Sequence, residues 1–236
     1  NSIRETSKNI LIIEFNPIQY QSFFEQMPDS KLNFLIYNRR RPAFWNFQSY
    51  NLIKRSGCLA ETENSLLDAN LKKIILNGKR QMEIKISDLF SKESFFKSFF
   101  SLEEISFWPT FKEFFQEYFR KRALEFIQEV ELTKKLMEKY DFSSILILSE
   151  AGLHERIALQ LAYQKQIPVC LVQHGINYDT KESYDMNVAK GVLPIESDHF
   201  LCWGKTAEEF SRNMSINPEK IHSIGSPIFD RLTFDE

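Results

Sequence analysis

From Ser144 onward, short apolar runs alternate with helical patterns, and this alternation constrains the fold more than any other feature of the chain. Four runs of strand length are predicted to form strands: Ser144–Leu148, Pro168–Gln173, Asp198–Trp203 and Lys220–Ile224. Helical patterns cover Ala151–Gln166 and Lys205–Met214 between them. Strands that alternate with helices predict βαβ units, a parallel sheet and right-handed crossovers.

The first part of the chain carries weaker versions of the same pattern. Two strands and two helices are predicted there: Asn9–Phe15, Ile18–Gln26, Leu32–Tyr37 and Thr62–Asn77. Gly78 follows the last of these helices and is predicted to cap its C-terminus. The stretch Asn46–Cys58 has no clear period and receives no assignment.

A Phe-rich stretch separates these two parts. Many of the 22 Phe residues fall between Phe90 and Phe126, within a helical pattern over Ser94–Tyr140 that Pro109 is expected to divide. We expect an amphipathic helix that covers the sheet. The fold class predicted is therefore α/β, a Rossmann-like doubly wound parallel sheet with a Phe-rich helical insertion at about 90–140. The whole of 1–236 is expected to form a single domain.

Composition excludes several classes of function. The 236 residues suffice for one α/β domain, and the net charge of −2 argues against a protein that holds nucleic acid through phosphate contacts. No apolar run approaches the length of a membrane span, and the polar N-terminus lacks the apolar core of a signal peptide. Cys58, Cys170 and Cys202 show no metal-ligand spacing, so no metal is predicted and a cytoplasmic, reducing setting is expected.

Ligands of an open parallel sheet bind beyond the carboxyl ends of its strands. Residues just after the predicted strands are therefore the candidates for a site, although turns need Gly and Pro in any protein. We predict that ten residues at or near these strand ends bind substrate: Asn16, Pro17, Gly152, His154, Gln173, Gly175, Gly204, Gly225, Ser226 and Pro227.

Two residues in these loops are predicted to be catalytic, namely His174 and Glu150. His174 follows a buried strand and precedes Gly175. Its imidazole titrates near neutrality and could act as a base or stabilise a leaving phosphate, or it could hydrogen-bond a loop carbonyl. Glu150 could assist by accepting a sugar hydroxyl proton, or it could only complement a helix N-terminus. The run Arg39–Arg41 could grip an anionic acceptor or a membrane surface, or form a solvated loop.

Three segments of the second half carry a family resemblance: SEAGLHERIALQLAYQKQIPVCLVQHGI, SDHFLCWGKTAEEF and INPEKIHSIGSPIFDRL. Together they resemble GT-B glycosyltransferases of capsule and surface-polysaccharide synthesis. They are also similar to the polysialyltransferase and CDP-glycerol glycerophosphotransferase groups. The resemblance covers Ser144–Leu232. It implies that His174 lies in an interdomain cleft as a catalytic candidate, and that Gly225–Pro227 lead toward a second Rossmann-like domain.

The resemblance implies that this chain is the N-terminal, acceptor-side half of a glycosyltransferase. The nucleotide-sugar donor is expected in a C-terminal domain absent from this chain, so no cofactor is expected in this half and the fragment is expected to be inactive alone. The partners implied are the donor and a glycan or lipid-linked acceptor, at the inner face of the membrane. The alternatives are a UDP-sugar 2-epimerase, which uses a related cleft, a glycerophosphotransferase, and a non-catalytic glycan-binding module.

Overall fold

A computed structural model describes residues 8–176, 180 and 183–230. Its described residues form nine strands: β1 (Asn9–Ile13), β2 (Asn33–Tyr37), β3 (Leu59–Glu61), β4 (Ser101–Leu102), β5 (Ile105–Ser106), β6 (Phe142–Ile147), β7 (Val169–Val172), β8 (His199–Cys202) and β9 (Ile221–Ser223). The same residues form nine α-helices: α1 (Gln21–Gln26), α2 (Phe47–Ser56), α3 (Glu63–Leu66), α4 (Ala69–Ser91), α5 (Glu93–Phe99), α6 (Trp108–Lys139), α7 (Leu153–Lys165), α8 (Ser183–Ala189) and α9 (Lys205–Asn213).

Seven of the strands form one parallel sheet in the order β3-β2-β1-β6-β7-β8-β9. Strand β1 pairs on both sides, and Leu11 lies opposite Leu35 on β2 and Ile145 on β6. From β1 the chain first adds β2 and β3 on one side of the sheet, and it later adds β6, β7, β8 and β9 on the other side. The predicted Rossmann-like, doubly wound parallel sheet is therefore confirmed, and its topological switch point lies between β1 and β6.

The chain divides into two compact units. The first comprises the described residues up to Leu66 and from Leu136 onward, and it contains the parallel sheet. One of its apolar clusters is built from eleven buried residues: Ile12, Phe15, Tyr20, Phe24, Met27, Ile36, Ala43, Leu52, Ile53, Cys58 and Val172. Side chains from strands and helices thus share one core, which fixes the strand ends where a ligand would bind.

The second unit is Leu67–Lys135, and its core is aromatic. Trp108 is fully buried and stacks on Phe96 and Phe100, with ring centroids 4.6 Å and 5.4 Å apart. Phe111 and Phe115 meet the indole edge-on. The clustering of Phe in the sequence therefore corresponds to a packed aromatic core between α5 and α6.

Three details of the predicted helices are wrong. The helix predicted at Thr62–Asn77 is broken, because Asp68 caps a new helix by accepting the Leu71 N–H at 2.7 Å. Gly78 lies inside α4 and caps nothing; a Cβ there would meet the Ile127 side chain at 2.9 Å, so the glycine permits close helix packing. Pro109 lies in the first turn of α6 and does not divide the helical stretch. The hairpin β4–β5 divides it instead, between α5 and α6.

The elements of the first unit without a firm prediction include α2 and β3. In α2 the Asn46 and Ser49 side chains cap each other's backbone, and Gly57 ends the helix in the left-handed conformation at φ 71°. The edge strand β3 has only three residues, too few for a detectable alternation of apolar side chains. In the described part of the chain, no helix is both long enough and apolar enough to span a bilayer.

Candidate functional site

All seven strands of the sheet run in the same direction, so their carboxyl ends lie along one edge. The sequence predicted a site formed by five loops. These loops follow β1, β6, β7, β8 and β9, and they therefore share this edge. The crevice at the switch point lies between the loops after β1 and β6, where ligands of open α/β sheets bind. The neighbouring loops after β2 and β7 border it.

An arginine and two buried glutamates occupy this crevice, and we call Glu14, Arg40 and Glu155 the arginine cluster. Arg40 Nε lies 3.3 Å from Glu14 Oε2, and Arg40 Nη2 donates to Glu155 Oε1. The Glu14 and Glu155 side chains are 1% and 0% exposed, whereas that of Arg40 is 52% exposed. The cluster therefore holds two desolvated carboxylates beneath one guanidinium that reaches the surface.

Glu14 also holds the backbone of the loop that follows β2. Its Oε1 accepts the backbone N–H groups of Arg39 at 2.6 Å and Arg40 at 3.0 Å. Glu14 itself has a φ of 62°, in the left-handed region that a residue with a Cβ rarely adopts. Backbone strain of this kind is concentrated at functional sites, where surrounding structure maintains it.

Glu155 stands in the first turn of α7, at the position where an anion would approach the helix amides. Burial raises the pKa of its carboxyl, and the Glu14 charge raises it further, against the effects of its own backbone N–H, Arg40 and His154. A Cβ at Gly152, the N-cap, would overlap the Glu155 carboxylate. The sequence predicted that a ligand approaches these amides beside Gly152; in the structure the Glu155 carboxylate fills that space.

His174 follows β7 at the same edge, where it is only partly exposed to solvent. The pKa of its imidazole is lowered by burial of the ring, while a hydrogen bond to the Leu148 carbonyl opposes this and the Arg40 charge adds to it. The lowered pKa favours the neutral form of the ring, in which one nitrogen donates to the Leu148 carbonyl. The other nitrogen is an acceptor, the form that a general base requires.

Glu150 has well-defined protein partners. It is 4% exposed, and its Oε1 accepts the Ser197 N–H at 2.7 Å while both oxygens accept the Glu196 N–H at 3.1–3.2 Å. Its own N–H donates to the Gly191 carbonyl at 2.8 Å. Gly191 has a φ of 65°, and a Cβ there would overlap the Glu150 backbone. Glu150 thus fastens the 191–197 segment to the loop after β6, and its predicted role in catalysis stays a prediction.

Gln173 joins the loops after β7 and β8. Its side chain is buried, with Oε1 accepting the Trp203 N–H at 2.8 Å and Nε2 donating to the Gly175 carbonyl at 2.9 Å. These bonds set the path of the backbone on either side of His174. Substrate binding by Gln173 and Gly175 stays a prediction.

The remaining predicted binding residues lie along the same edge or in the adjoining turn of α7. Asn16 Oδ1 accepts the Ile18 N–H at 3.1 Å, which closes the turn after β1 around the buried Pro17. His154 is half-buried in the first turn of α7. An open cavity of about 440 Å³ lies beside α9 and includes Gly204 in its wall. Gly225, Ser226 and Pro227 follow β9; Ser226 and Pro227 are half-buried and Gly225 is exposed.

Sequence reasoning missed the arginine cluster. Its two glutamates carry weak local signals: Glu14 interrupts an apolar run, and Glu155 is an acidic residue in a helix first turn. The solvated-loop interpretation of Arg39–Arg41 is wrong for Arg39, whose Nη2 lies 2.7 Å from Glu63 Oε2 and whose side chain is largely buried. Arg40 is half exposed and also joins the arginine cluster. Within the described ranges, no group of three or more His, Cys, Asp or Glu side chains could hold a metal ion.

Comparison with solved structures relates the fold to enzymes that act on nucleotide sugars. UDP-GlcNAc 2-epimerase from Neisseria meningitidis, solved with UDP-GlcNAc bound, matches 94% of this chain with a TM-score of 0.52 at 10% identity. The enzyme from Methanocaldococcus jannaschii matches 94% with a TM-score of 0.51 at 12% identity. This chain spans about half of those structures, 47% and 46% of their lengths. No protein-family model matches the sequence, and no curated protein matches it significantly.

The chain therefore has the Rossmann-like architecture of GT-B-type proteins, a fold class that includes UDP-GlcNAc 2-epimerases. At identities of 10–12% the likeness concerns the fold. The resemblance to glycosyltransferases of surface-polysaccharide synthesis finds support in that fold class only.

Proposed function

We propose that this chain forms one Rossmann-like half of a nucleotide-sugar enzyme, and that the enzyme epimerises a UDP-sugar. The observation that carries the proposal is the position of His174 at the carboxyl edge of the sheet, in the loop after β7 that borders the crevice where Arg40 contacts Glu155. The likeness of the fold to UDP-GlcNAc 2-epimerases supports epimerisation over the other reactions considered.

Epimerisation of a UDP-sugar requires a base near the sugar and favours a cation near the diphosphate. In a direct route, a proton leaves the carbon next to the anomeric carbon while UDP departs from the anomeric carbon, and the electron pair of the broken C–H bond forms a double bond between the two carbons. UDP then returns to the anomeric carbon and a proton adds to the opposite face of its neighbour, which gives the epimer. The free nitrogen of His174 can accept a proton, and general base assistance of this kind contributes about 10²–10⁴-fold in rate. The guanidinium of Arg40 can face the negative charge of a phosphate.

Glycosyl transfer is the second candidate, and the QHG segment at Gln173–Gly175 and the GSP segment at Gly225–Pro227 favour it. In that reaction His174 would take the proton of an acceptor hydroxyl, and the nucleotide-sugar donor would be held in a C-terminal half. The acceptor would be a glycan or a lipid-linked sugar. Both candidate reactions use the same edge of the sheet. They differ in their reactants, because glycosyl transfer needs an acceptor and epimerisation needs only the UDP-sugar.

An NMR experiment separates the two reactions. The complete protein is incubated with UDP-GlcNAc in D₂O without an acceptor. Epimerisation predicts a second UDP-sugar with deuterium at the carbon whose configuration changed. Glycosyl transfer predicts no new epimer, and UDP release only after a glycan or lipid-linked acceptor is added. Failure of both reactions across a panel of UDP-sugars and acceptors would contradict the enzyme proposals and favour a glycan-binding module.

A matched pair of histidine variants connects the activity to the site. His174→Ala is expected to lose about 10²–10⁴-fold in rate with a nearly unchanged melting temperature. The control is His199→Ala, since His199 lies at the amino end of β8 and its ring contacts His222 at 3.0 Å, away from the carboxyl edge. Equal activity in both variants would remove His174 from the mechanism.

A further inference from the structure

Arg40 has hydrogen-bond donors that its protein partners do not use. A guanidinium carries five N–H groups in a planar fork. In the arginine cluster, Nε faces Glu14 and Nη2 donates to Glu155, while Nη1 has no partner among the described residues. The side chain is 52% exposed. The two Nη1 donors are therefore available to a ligand in the crevice at the switch point.

The guanidinium is also held in place before any ligand arrives. Two carboxylates that are at least 99% buried contact it from two sides, and Glu14 additionally binds the backbone amide of Arg40. An arginine fixed in this way loses little conformational entropy when it binds a planar or tetrahedral oxyanion. Such a site suits the diphosphate of a nucleotide sugar, which offers several oxygens to the fork.

The charges of the cluster set a condition on anion binding. With Glu14 and Glu155 both ionised, the cluster carries one net negative charge and repels a diphosphate. Burial and the Glu14 charge already raise the pKa of Glu155, and an anion beside Arg40 raises it further. Protonation of Glu155 removes the excess negative charge.

We propose that Arg40 binds the diphosphate of the ligand and that Glu155 takes up a proton from solvent when the diphosphate binds. This rests on the proposed function for the identity of the ligand, a nucleoside diphosphate. The contact itself depends on the arginine cluster alone, and a lipid-linked diphosphate presents the same chemistry to it.

Calorimetric titration of the complete protein with UDP tests both parts. Titrations at one pH in buffers of different ionisation enthalpy measure the protons taken up. We expect Arg40→Ala to weaken UDP binding at least 10-fold, and Arg40→Lys to weaken it several-fold because lysine lacks the fork. Arg40→Lys also keeps the test open if Arg40→Ala leaves two unpaired buried carboxylates and does not fold. The control is Arg41→Ala, an exposed neighbour outside the cluster, which should bind as the wild type does.

Glu155→Gln tests the proton. It mimics the protonated carboxyl, so it should bind UDP at least as tightly as the wild type, with less proton uptake. His154 and Glu14 interact electrostatically with Glu155, and His174 with Arg40; these groups are the same in both proteins. The difference between wild type and Glu155→Gln therefore measures Glu155. Equal uptake in the two proteins would overturn this part.

Further arms separate this inference from the proposed function. Inorganic pyrophosphate should bind with the same dependence on Arg40, and an isoprenyl diphosphate in detergent distinguishes a lipid-borne from a nucleotide-borne ligand. If a UDP-sugar is turned over but folded Arg40 variants bind UDP within twofold of wild type, the inference fails and the proposed function stands. If UDP binding depends on Arg40 but no UDP-sugar is turned over, the inference stands and the proposed function fails. A wild type that binds none of the three diphosphates overturns the inference.

Discussion

The buried carboxylate of Glu150 accepts the backbone N–H of Ser197 at 2.7 Å, across 47 positions of sequence. This contact ties the segment that leads into β8 to the loop that follows β6. Hydrogen bonds to a charged acceptor contribute more than neutral ones, and loss of the acceptor leaves buried donors without a partner.

We therefore expect Glu150→Ala to destabilise the protein by about 2–3 kcal/mol, and Glu150→Gln by less, because the amide oxygen retains one acceptor. Urea denaturation followed by circular dichroism measures the loss. Glu219→Gln, at an exposed position, serves as the control. An unchanged urea midpoint together with a large loss of activity would instead support the catalytic role that the sequence predicted for Glu150.

The pH dependence of His174 follows from its lowered pKa. Burial lowers it most and the Arg40 charge contributes, so the ring loses its proton below the ordinary value of 6.5. A reaction that needs the neutral base should therefore keep its rate from neutral pH down to below 6.5 and lose it as the pH falls through the pKa of the folded protein. NMR titration of the four histidines, with His174→Gln for assignment, gives the pKa directly. A midpoint above 6.5 would contradict the structure.

Glu61 should make the protein sensitive to acid. Burial tends to raise the pKa of its carboxyl, but hydrogen bonds from Lys139 at 2.7 Å and from Ser65 and Tyr140 outweigh this and lower it. A pKa that is lower in the folded state gives stability above the ordinary value of about 4.5, which is lost as the pH falls through the folded value. Glu61→Gln should cost about 1–2 kcal/mol at pH 7 and progressively less at lower pH.

Urea denaturation at pH 7 and at pH 3 measures this difference. The control is Glu138→Gln, because Glu138 is exposed on the same helix as Lys139. A gap between wild type and Glu61→Gln that stays constant with pH would show that the ionised carboxylate does not stabilise the fold.

Trp108 should dominate the stability of the Leu67–Lys135 unit. It is fully buried among stacked and edge-on Phe rings, so Trp108→Ala should cost about 3–5 kcal/mol through lost contacts and a cavity. Phe114→Ala on the same helix is the control, because Phe114 is 71% exposed and should change stability little. Limited proteolysis should cut the Trp108 variant within this unit first. Equal resistance of the two variants would contradict an aromatic core.

Local patterns carried enough information to predict every strand of the sheet except the edge strand β3, but not the details of the helices. Apolar runs such as Ile145–Leu148 identify buried strands because a strand covered on both faces needs continuous apolar side chains. The predictions at Gly78 and Pro109 were wrong because each residue type is common in two different helix contexts. A glycine either ends a helix or permits close packing, and a proline either breaks a helix or begins one. Ile127, far along the chain, decides the first case.

The sequence by itself determined six of the seven strands of the parallel sheet, their alternation with helices and therefore the loops that meet at one edge, since these depend on the spacing of neighbouring side chains. It also placed His174 in such a loop. Only the tertiary structure brought Arg40 to Glu14 and Glu155, which are 26 and 115 positions away from it. Arg40 and Glu155 look locally like ordinary surface residues, and Glu14 carries only the weak signal of a charge within an apolar run. Their burial and pairing arise when the parallel crossovers place the ends of β1, β2 and β6 side by side, because desolvation and charge pairing depend on distance in space.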